Sequence, residues 1–267
     1  MGLWEEVAVL VVFAGGRSSR FGRDKCTYVH KGRRLIDYVI DAAKEVVEDV
    51  IVAAGRNAHL YPGHKVVEDS PRFSGPLAAV DAVVQKVNDT VLFAPCDIPY
   101  VQPAVFKELL RSEAPTSVWV FPNGRVESTV FKTEPAAMRE ALDLLAQFRR
   151  SRLDDVFRLV ATEFLAVEKH GIDPAWLLNV NRPQDLAGGK PAFSRRVFLD
   201  DYLLRWDDPP LARWLRLRDE EALRRELLRY LETGLFSMAA HVAKDLATPS
   251  FSALAEVLYE AVDIRKW

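Results

Sequence analysis

The sequence predicts a three-layer α/β domain with a mostly parallel sheet, followed by a small all-α domain. Short apolar, β-branched runs alternate with amphipathic segments over the first two thirds of the 267 residues, a pattern typical of strand–helix–strand units. The runs contain no polar interruption, as expected of strands covered on both faces. Gly188, Gly189 and Pro191 mark a joint, so we expect domains at residues 1–188 and 189–267.

The first domain is predicted element by element from these runs. The predicted strands are residues 7–13, 49–54 and 90–94, and the helices between them are residues 35–47 and 76–87. Right-handed crossovers between such strands give a parallel sheet with helices on both faces. Asn123 and Gly124 separate two further apolar runs, residues 118–121 and 126–131, and this dipeptide is a strong hairpin signal. We therefore expect an antiparallel pair to extend the sheet.

The second domain is predicted from four amphipathic segments. These are residues 198–204, 210–218, 220–233 and 252–262. Acidic residues at the start of the third segment suit the positive end of a helix dipole, and Pro249 separates the last two helices. Two interpretations stay open: the helices form a small core of their own, or they dock onto the first domain, a partner or a second copy of the chain as a homodimer.

Composition excludes several classes of protein. Lys and Arg number 36 against 38 Asp and Glu, a net charge of −2, which argues against a general nucleic-acid partner. No apolar run is long enough to cross a membrane, and Glu5 and Glu6 do not suit a secretory leader. With only Cys26 and Cys96, we expect no disulfide framework, a cytoplasmic location and cysteines that serve as buried packing residues.

The loop after the first strand is rich in glycine and basic residues. Residues 14–25 are AGGRSSRFGRDK, and Gly15 and Gly16 let the backbone approach a ligand and form an anion-binding concavity. Arg20 and Lys25 add the mobile positive charge that a polyphosphate requires. Ligands of parallel sheets bind at the carboxyl ends of the strands. We interpret this loop as a nucleotide-phosphate site; an arginine-rich surface turn is the alternative.

Two carboxylates also follow predicted strands. Asp97 comes after the strand at residues 90–94, where it can hold Mg²⁺ together with substrate phosphate oxygens or cap the next helix. Asp69 follows a short strand at residues 65–67 and can accept from ribose hydroxyls or stabilise a turn.

Three further positions complete the candidate site. Gly75 and Pro76 open a helix whose free N–H groups face the crevice. Asn179 and Asn181 point the same way if their segment is extended and can hydrogen-bond a second substrate. For Asn181, capping of a helix that begins at Pro183 is the alternative.

Four strings, AGGxSxRFGxDK, EDS…GPL, PCDIPY and NVNRPQDL, occur in this order. Together they resemble the family of molybdenum cofactor guanylyltransferases, over about residues 7–186. The resemblance implies a Rossmann-like three-layer nucleotidyltransferase domain. It also implies transfer of GMP from GTP to the terminal phosphate of molybdopterin, with release of pyrophosphate and with Mg²⁺, or Mn²⁺, as the cofactor.

The resemblance also implies roles for individual residues. Catalysis falls to Lys25, Arg20 and Asp97, with Asp97 as the metal ligand, and the acceptor lies beside Asn179 and Asn181. The nucleotide contacts Phe13, Ala14, Gly15, Gly16, Lys25, Asp69, Gly75, Pro76 and Asp97.

The chain departs from the family pattern in two places. Ala53 and Gly55 stand where bacterial members carry asparagines, and residues 127–129 replace a His-Pro pair. Other functions therefore stay open: a cytidylyltransferase for the same pterin, a guanylyltransferase for a cobamide precursor, and a non-catalytic carrier of nucleotide or pterin.

Overall fold

A computed structural model describes residues 8–15 and 24–264 of the chain. In this part, one sheet has eight strands in the order β10-β9-β7-β8-β6-β1-β4-β5, and β2 and β3 form a separate two-stranded ribbon. The strands are β1 Ala8–Phe13, β2 Val29–His30, β3 Arg33–Arg34, β4 Asp49–Ala53, β5 Lys65–Val67, β6 Thr90–Pro95, β7 Thr116–Val120, β8 Val126–Thr133, β9 Thr162–Ala166 and β10 Tyr202–Leu204. The α-helices are α1 Leu35–Ala43, α2 Pro76–Val84, α3 Pro103–Arg111, α4 Pro135–Gln147, α5 Asp154–Phe157, α6 Pro210–Leu217, α7 Glu220–Glu232, α8 Phe236–Leu246 and α9 Pro249–Ala261.

The centre of the sheet is parallel, as predicted. β1 pairs in parallel with β4 and with β6, and β5 pairs in parallel with β4. Val11 packs into the apolar core on one face of the sheet, and Leu10 and Val12 pack into the core on the other. Because successive side chains of a strand point to opposite faces, an unbroken apolar run suits a strand that is covered twice. The three-layer α/β prediction is therefore confirmed.

The predicted hairpin is present and extends the sheet. β8 is antiparallel to β6 and to β7, with Asn123 and Gly124 in the turn. Gly124 has a φ of +82° and lies so close to Gly234 that an added Cβ would approach the Gly234 carbonyl oxygen to 2.0 Å. The turn thus requires glycine both for its backbone conformation and for contact with the C-terminal helices.

One predicted helix is wrong. Residues 202–204 of the segment predicted as a helix form β10, which pairs antiparallel with β9. Leu204 is buried and Leu203 is 55% exposed, which is the alternation of a strand with one covered face. The segment is too short for its periodicity to separate helix from strand, and the open edge of β9 decides its conformation. The long helix α4, the strand β9 and the helix α8 were not predicted.

The C-terminal helices share a core with the sheet. Leu223, Met238 and Leu258 belong to the same buried cluster as Phe131 and Phe157. Of the two interpretations of these helices, the structure supports docking onto the preceding part of the same chain. The division into domains 1–188 and 189–267 stays a prediction. No helix among the described residues is both long and apolar enough to span a membrane.

A buried ion network joins the two parts. The Arg158 guanidinium donates to Glu226 at 2.7 and 2.8 Å, to Asp155 at 3.0 Å and to Asp245 at 2.6 Å. Arg150 adds bonds to Asp155 and Asp245. Although burial disfavours the charged carboxylate, Arg158 and Arg150 hold the pKa of Asp155 below its usual value. Such a network fixes how the helices sit on the sheet, because any other placement leaves buried charges unpaired.

Substitution of Arg158 by Met tests this network. Arg158→Met leaves the Glu226 carboxylate buried without its guanidinium, so we expect the free energy of unfolding at neutral pH to fall by about 3–5 kcal/mol. Urea denaturation measures the loss. The deficit shrinks as pH falls, because protonation neutralises the abandoned carboxylate.

Arg224→Met is the matched control on α7. Arg224 is exposed and pairs with Glu220 at 3.8 Å, so its loss costs less than about 1 kcal/mol. Equal destabilisation by the two substitutions would contradict the importance of the buried network.

Candidate active site

The carboxyl ends of β1, β4 and β6 open onto a cleft of about 390 Å³. The parallel register places these ends side by side, since Phe13 lies opposite Ala53 on one neighbour and Pro95 on the other. The residues predicted for the site that line this cleft are Phe13, Gly15, Lys25, Asp69, Gly75, Pro76, Asp97 and Asn179. Residues far apart in sequence are thus brought together at the carboxyl ends of the parallel strands, where ligands of such sheets bind.

Two other predicted site residues, Ala14 and Asn181, are not among the residues that line the cleft. Ala14 is buried behind the cleft, and its amide donates to the Ala53 carbonyl at 2.8 Å. Asn181 is exposed and is not among the lining residues. Gly16 and Arg20 lie outside the described residues.

Two capping alternatives are excluded. Gln102 is the N-cap of α3, so Asp97 does not cap that helix. Arg182 is the N-cap of the short 3₁₀ helix Pro183–Ala187, so Asn181 does not cap it. The side chain of Asp97 points instead toward Lys25.

Lys25 and Asp97 form an ion pair inside the cleft. Their side chains are 18% and 11% exposed, so water screens the pair weakly. The Lys25 Nζ also donates to the Val180 carbonyl at 2.9 Å, and the Val180 amide donates to the Asp97 carbonyl at 2.8 Å. Three segments therefore meet at one point: the loop after β1, the loop after β6 and the Asn179–Asn181 segment.

Asp24 anchors the lysine loop and was missed by the sequence analysis. Its carboxylate accepts from the Asn57 side-chain amide at 2.9 Å, the Tyr61 hydroxyl at 3.0 Å and the Thr27 amide at 3.0 Å. Burial, with the negative charge of Asp24, raises the pKa of Tyr61, which therefore stays a hydrogen-bond donor. The signal was the aspartate of the AGGxSxRFGxDK string, directly before Lys25.

Gly55, one of the departures from the family pattern, lies against Asp69. It has a φ of +50°, and a Cβ there would come within 2.6 Å of an Asp69 carboxylate oxygen. Desolvation raises the pKa of Asp69. A side chain at position 55 would displace this carboxylate from the wall of the cleft. The observed position of Asp69 therefore depends on a glycine at position 55.

Thr129, with its partner Glu127, is a further residue of the cleft region that the sequence did not predict. Thr129 lines the cleft and donates its hydroxyl hydrogen to the Glu127 carboxylate at 2.6 Å. Glu127 is 6% exposed, and this burial, together with the nearby negative charge of Asp97, raises its pKa. The sequence does show that Glu127 and Thr129 are two residues apart in a predicted strand, and residues at positions i and i+2 of a strand share a face.

The expected burial of both cysteines is confirmed, but the expectation that they form no disulfide is wrong. Both are buried, but Cys26 and Cys96 form a disulfide with Cα atoms 5.3 Å apart. The sequence could not show this, because the pair is adjacent only once β1 and β6 lie side by side. Both cysteines line the cleft, and each is next in sequence to a member of the Lys25–Asp97 pair.

The family described as MobA-like NTP transferase domain matches residues 10–162, more than half of the chain. The chain belongs to this family. It is therefore a nucleotidyltransferase, and the resemblance found in its motifs is confirmed. The match spans the strands β1, β4, β5 and β6, whose ends build the cleft.

Individual relatives agree with this family. The chain is 28% identical over 188 residues to a probable molybdenum cofactor guanylyltransferase of Halalkalibacterium halodurans, covering 66% of this chain and 94% of that protein. It is 40% identical over 108 residues to a molybdenum cofactor guanylyltransferase of Yersinia pestis, covering 39% of this chain and 55% of that protein. The crystal structure of molybdopterin-guanine dinucleotide biosynthesis protein A from Archaeoglobus fulgidus superimposes with a TM-score of 0.55 at 20% identity, over 67% of this chain and 95% of that chain, which shows a shared fold.

A double-mutant cycle tests the contact between Gly55 and Asp69. Gly55→Ala adds both backbone strain and a clash with the carboxylate, which rotation of the exposed Asp69 side chain partly relieves, so we expect it to lower the free energy of unfolding by up to about 1 kcal/mol more than strain alone. Gly63→Ala gives the strain alone, since Gly63 has a φ of +85° and open space around its Cβ position.

Removal of the carboxylate separates the two causes. In the Gly55→Ala protein, Asp69→Ala should recover the stability that was lost beyond strain. In the Gly63→Ala protein, Asp69→Ala should leave the loss of stability unchanged. If the Gly55→Ala deficit still exceeds the Gly63→Ala deficit when Asp69 is absent, the contact is contradicted.

The buried Glu127 gives a pH-dependent prediction. At low pH the Glu127 carboxyl is neutral and Glu127→Gln is about as stable as the wild type. As pH rises through the raised pKa of Glu127, the wild type loses stability that the glutamine variant keeps, by about 1 kcal/mol or more.

Urea denaturation of both proteins between about pH 4 and pH 8 measures this difference. Glu134→Gln, at an exposed position directly after β8, controls for loss of one negative charge. A constant difference between wild type and Glu127→Gln across the range would contradict the prediction.

Proposed function

We propose that this protein transfers GMP from GTP to the phosphate of molybdopterin or the molybdenum cofactor, forming the guanine dinucleotide and releasing pyrophosphate. The observation that carries this proposal is the Lys25–Asp97 pair in a cleft at the carboxyl ends of the central strands. Support comes from the motifs of the sequence and from the guanylyltransferase names of the relatives.

The cleft suits a nucleoside triphosphate. Gly15 and the N-terminus of α2, at Gly75 and Pro76, present backbone to the cleft without bulky side chains. Amides at a helix N-terminus bind phosphate oxygens well. The Asp69 carboxylate is placed to accept hydrogen bonds from ribose hydroxyls.

The donor set suits a divalent cation that arrives with the nucleotide. Among residues 8–15 and 24–264 there is no cluster of three histidine, cysteine or acidic side chains that could hold a metal alone. Mg²⁺ is often bound by one or two carboxylates, with waters and substrate phosphates as the other ligands. Asp97 fits that role, and Mn²⁺ accepts the same oxygens. Such a cation neutralises phosphate charge as the α-phosphorus is attacked.

Lys25 contacts both Asp97 and the Val180 carbonyl. In the structure its ammonium neutralises Asp97, and the Val180 carbonyl holds its position. With a cation at Asp97, the Lys25 ammonium would be available to the phosphates while the Val180 carbonyl still held it in place. An acceptor phosphate oxygen then bonds to the α-phosphorus, the bond from that phosphorus to the bridging oxygen breaks, and pyrophosphate leaves. Lys25 stabilises the charge that develops during this exchange.

The acceptor is proposed to enter beside Asn179. This residue lines the nucleotide cleft and also a second cavity of about 370 Å³. An acceptor held in the second cavity can extend its phosphate past Asn179 toward the α-phosphate. Asn181 lies two residues further along the same segment and stays a predicted acceptor contact.

A cytidylyltransferase of the same pterin is the second candidate. Ala53 lines the cleft and Gly55 adjoins it, and neither offers a side-chain donor or acceptor to a purine. Calorimetric titration with GTP, CTP and ATP, each with and without Mg²⁺, separates the candidates. Metal-dependent preference for GTP supports the proposal, and preference for CTP favours the second candidate.

Substitution of the ion pair tests the catalytic assignment. We expect Lys25→Ala and Asp97→Ala each to lower the rate of dinucleotide formation by two decades or more, about 3 kcal/mol of transition-state stabilisation. Product formation from GTP and molybdopterin, followed by chromatography, measures the rate.

Lys65→Ala is the matched control. Lys65 on β5 also pairs with an aspartate, Asp49, but its side chain is 69% exposed and away from the cleft lining. The control should keep its activity. Unchanged turnover in Lys25→Ala and Asp97→Ala would overturn the assignment and leave a carrier of nucleotide as the better hypothesis.

A further inference from the structure

The chain contains two cysteines, and both lie at the candidate active site. Cys26 directly follows Lys25, and Cys96 directly precedes Asp97. Their disulfide therefore joins the two loops whose side chains form the central ion pair. The Cys96 amide also donates to the Phe13 carbonyl at 3.2 Å, and the Cys26 carbonyl accepts from the Ile36 amide at 3.1 Å.

We propose that the Cys26–Cys96 disulfide is a positioning crosslink that keeps Lys25 and Asp97 at their working separation, so that nucleotide binding responds to thiol reductants. This inference rests on the proposed function, because it assigns the same cleft to a nucleoside triphosphate. It assigns the cysteines no contact with the reacting atoms.

The need for a covalent tie follows from the charges. Without a ligand, the attraction between the Lys25 ammonium and the Asp97 carboxylate holds the two loops together. When Asp97 takes a divalent cation, that attraction is replaced by repulsion between two positive groups. The disulfide does not depend on charge, so it keeps the loops together at the stage when the ion pair opens.

The disulfide faces the cleft. Both cysteines belong to its lining, and each is 4% exposed, so a small dithiol would have to approach through the cleft, where a bound nucleotide would stand in its way. A thiolate of the dithiol attacks one sulfur, breaks the Cys26–Cys96 bond and forms a mixed disulfide. The second thiol of the reagent then closes its ring, which releases both cysteines as thiols. Two electrons and two protons pass from the dithiol to the protein.

Thermodynamic linkage makes the inference measurable without catalysis. If the crosslinked protein binds nucleotide more tightly by some factor, nucleotide must shift the thiol–disulfide equilibrium toward the disulfide by the same factor. A nucleotide that only covers the sulfur atoms slows reduction but leaves this equilibrium unchanged. A shift of the equilibrium therefore shows that the crosslink improves nucleotide binding, and not only that the nucleotide blocks the reagent.

The experiment equilibrates the full chain in mixtures of reduced and oxidised dithiothreitol, with and without GTP and Mg²⁺. Alkylation followed by mass spectrometry counts the free thiols. We expect GTP with Mg²⁺ to raise the equilibrium constant for formation of the Cys26–Cys96 disulfide about tenfold. Calorimetry should show about tenfold tighter GTP binding to the oxidised protein.

A double variant, Cys26→Ser with Cys96→Ser, supplies the control. It should bind GTP as the reduced wild type does, in the presence or absence of dithiothreitol. The wild-type comparison needs no mutation, so it decides the matter even if the double variant folds poorly.

The outcomes separate this inference from the proposed function. An equilibrium unaffected by nucleotide, equal affinity of the two redox forms, or complete alkylation of both cysteines without reductant would overturn the crosslink. A shifted equilibrium with no dinucleotide product from either form would support the crosslink and overturn the proposed transfer reaction.

Discussion

The ion pair between Lys25 and Asp97 is the interaction on which the geometry of the cleft depends. It is buried enough to be strong, and it joins loops separated by 72 positions in sequence. The pair is possible because β1 and β6 are neighbours in parallel register, with Phe13 opposite Pro95. A shift of one residue in that register would turn the side chains that follow one of the strands to the opposite face. The observed register is therefore what brings Lys25 and Asp97 together.

The rest of the chain stabilises this arrangement from a distance. The Val180 backbone ties the Asn179–Asn181 segment to both members of the pair. On the far side of the hairpin, the Gly124 turn packs against Gly234, and Ser237 accepts from the Val126 amide at 2.9 Å. The same strand, β8, carries the Glu127–Thr129 contact into the cleft wall. The C-terminal helices thus support β8 from outside while β8 contributes to the site.

The sequence predicts well whatever depends on local pattern. Apolar runs predict β1, β4 and β6, and Asn123-Gly124 predicts the hairpin. The residues that follow the predicted strands make up most of the cleft lining. It fails where a partner distant in sequence decides the outcome. The conformation of residues 202–204 depends on the open edge of β9, and the Cys26–Cys96 bond depends on the register of two strands. The carboxylate of Glu127 is chemically distinctive only because it is buried, which no spacing within β8 shows.

Charge balance in the cleft gives a physical reason for coupling nucleotide binding to a divalent cation. Among the described lining residues, Lys25 carries the positive charge and Asp69 and Asp97 carry negative charge. The described part of the lining therefore carries one more negative than positive side chain. A divalent cation held by Asp97, as proposed, would offset this negative charge and would leave Lys25 available to the phosphates. The sequence places Arg17, Arg20 and Arg23 just before Asp24, so further positive charge is adjacent in the chain. In the structure Lys25 and Asp97 neutralise each other, so under the proposed function a nucleotide and its cation would have to replace this contact before Lys25 could meet the phosphates.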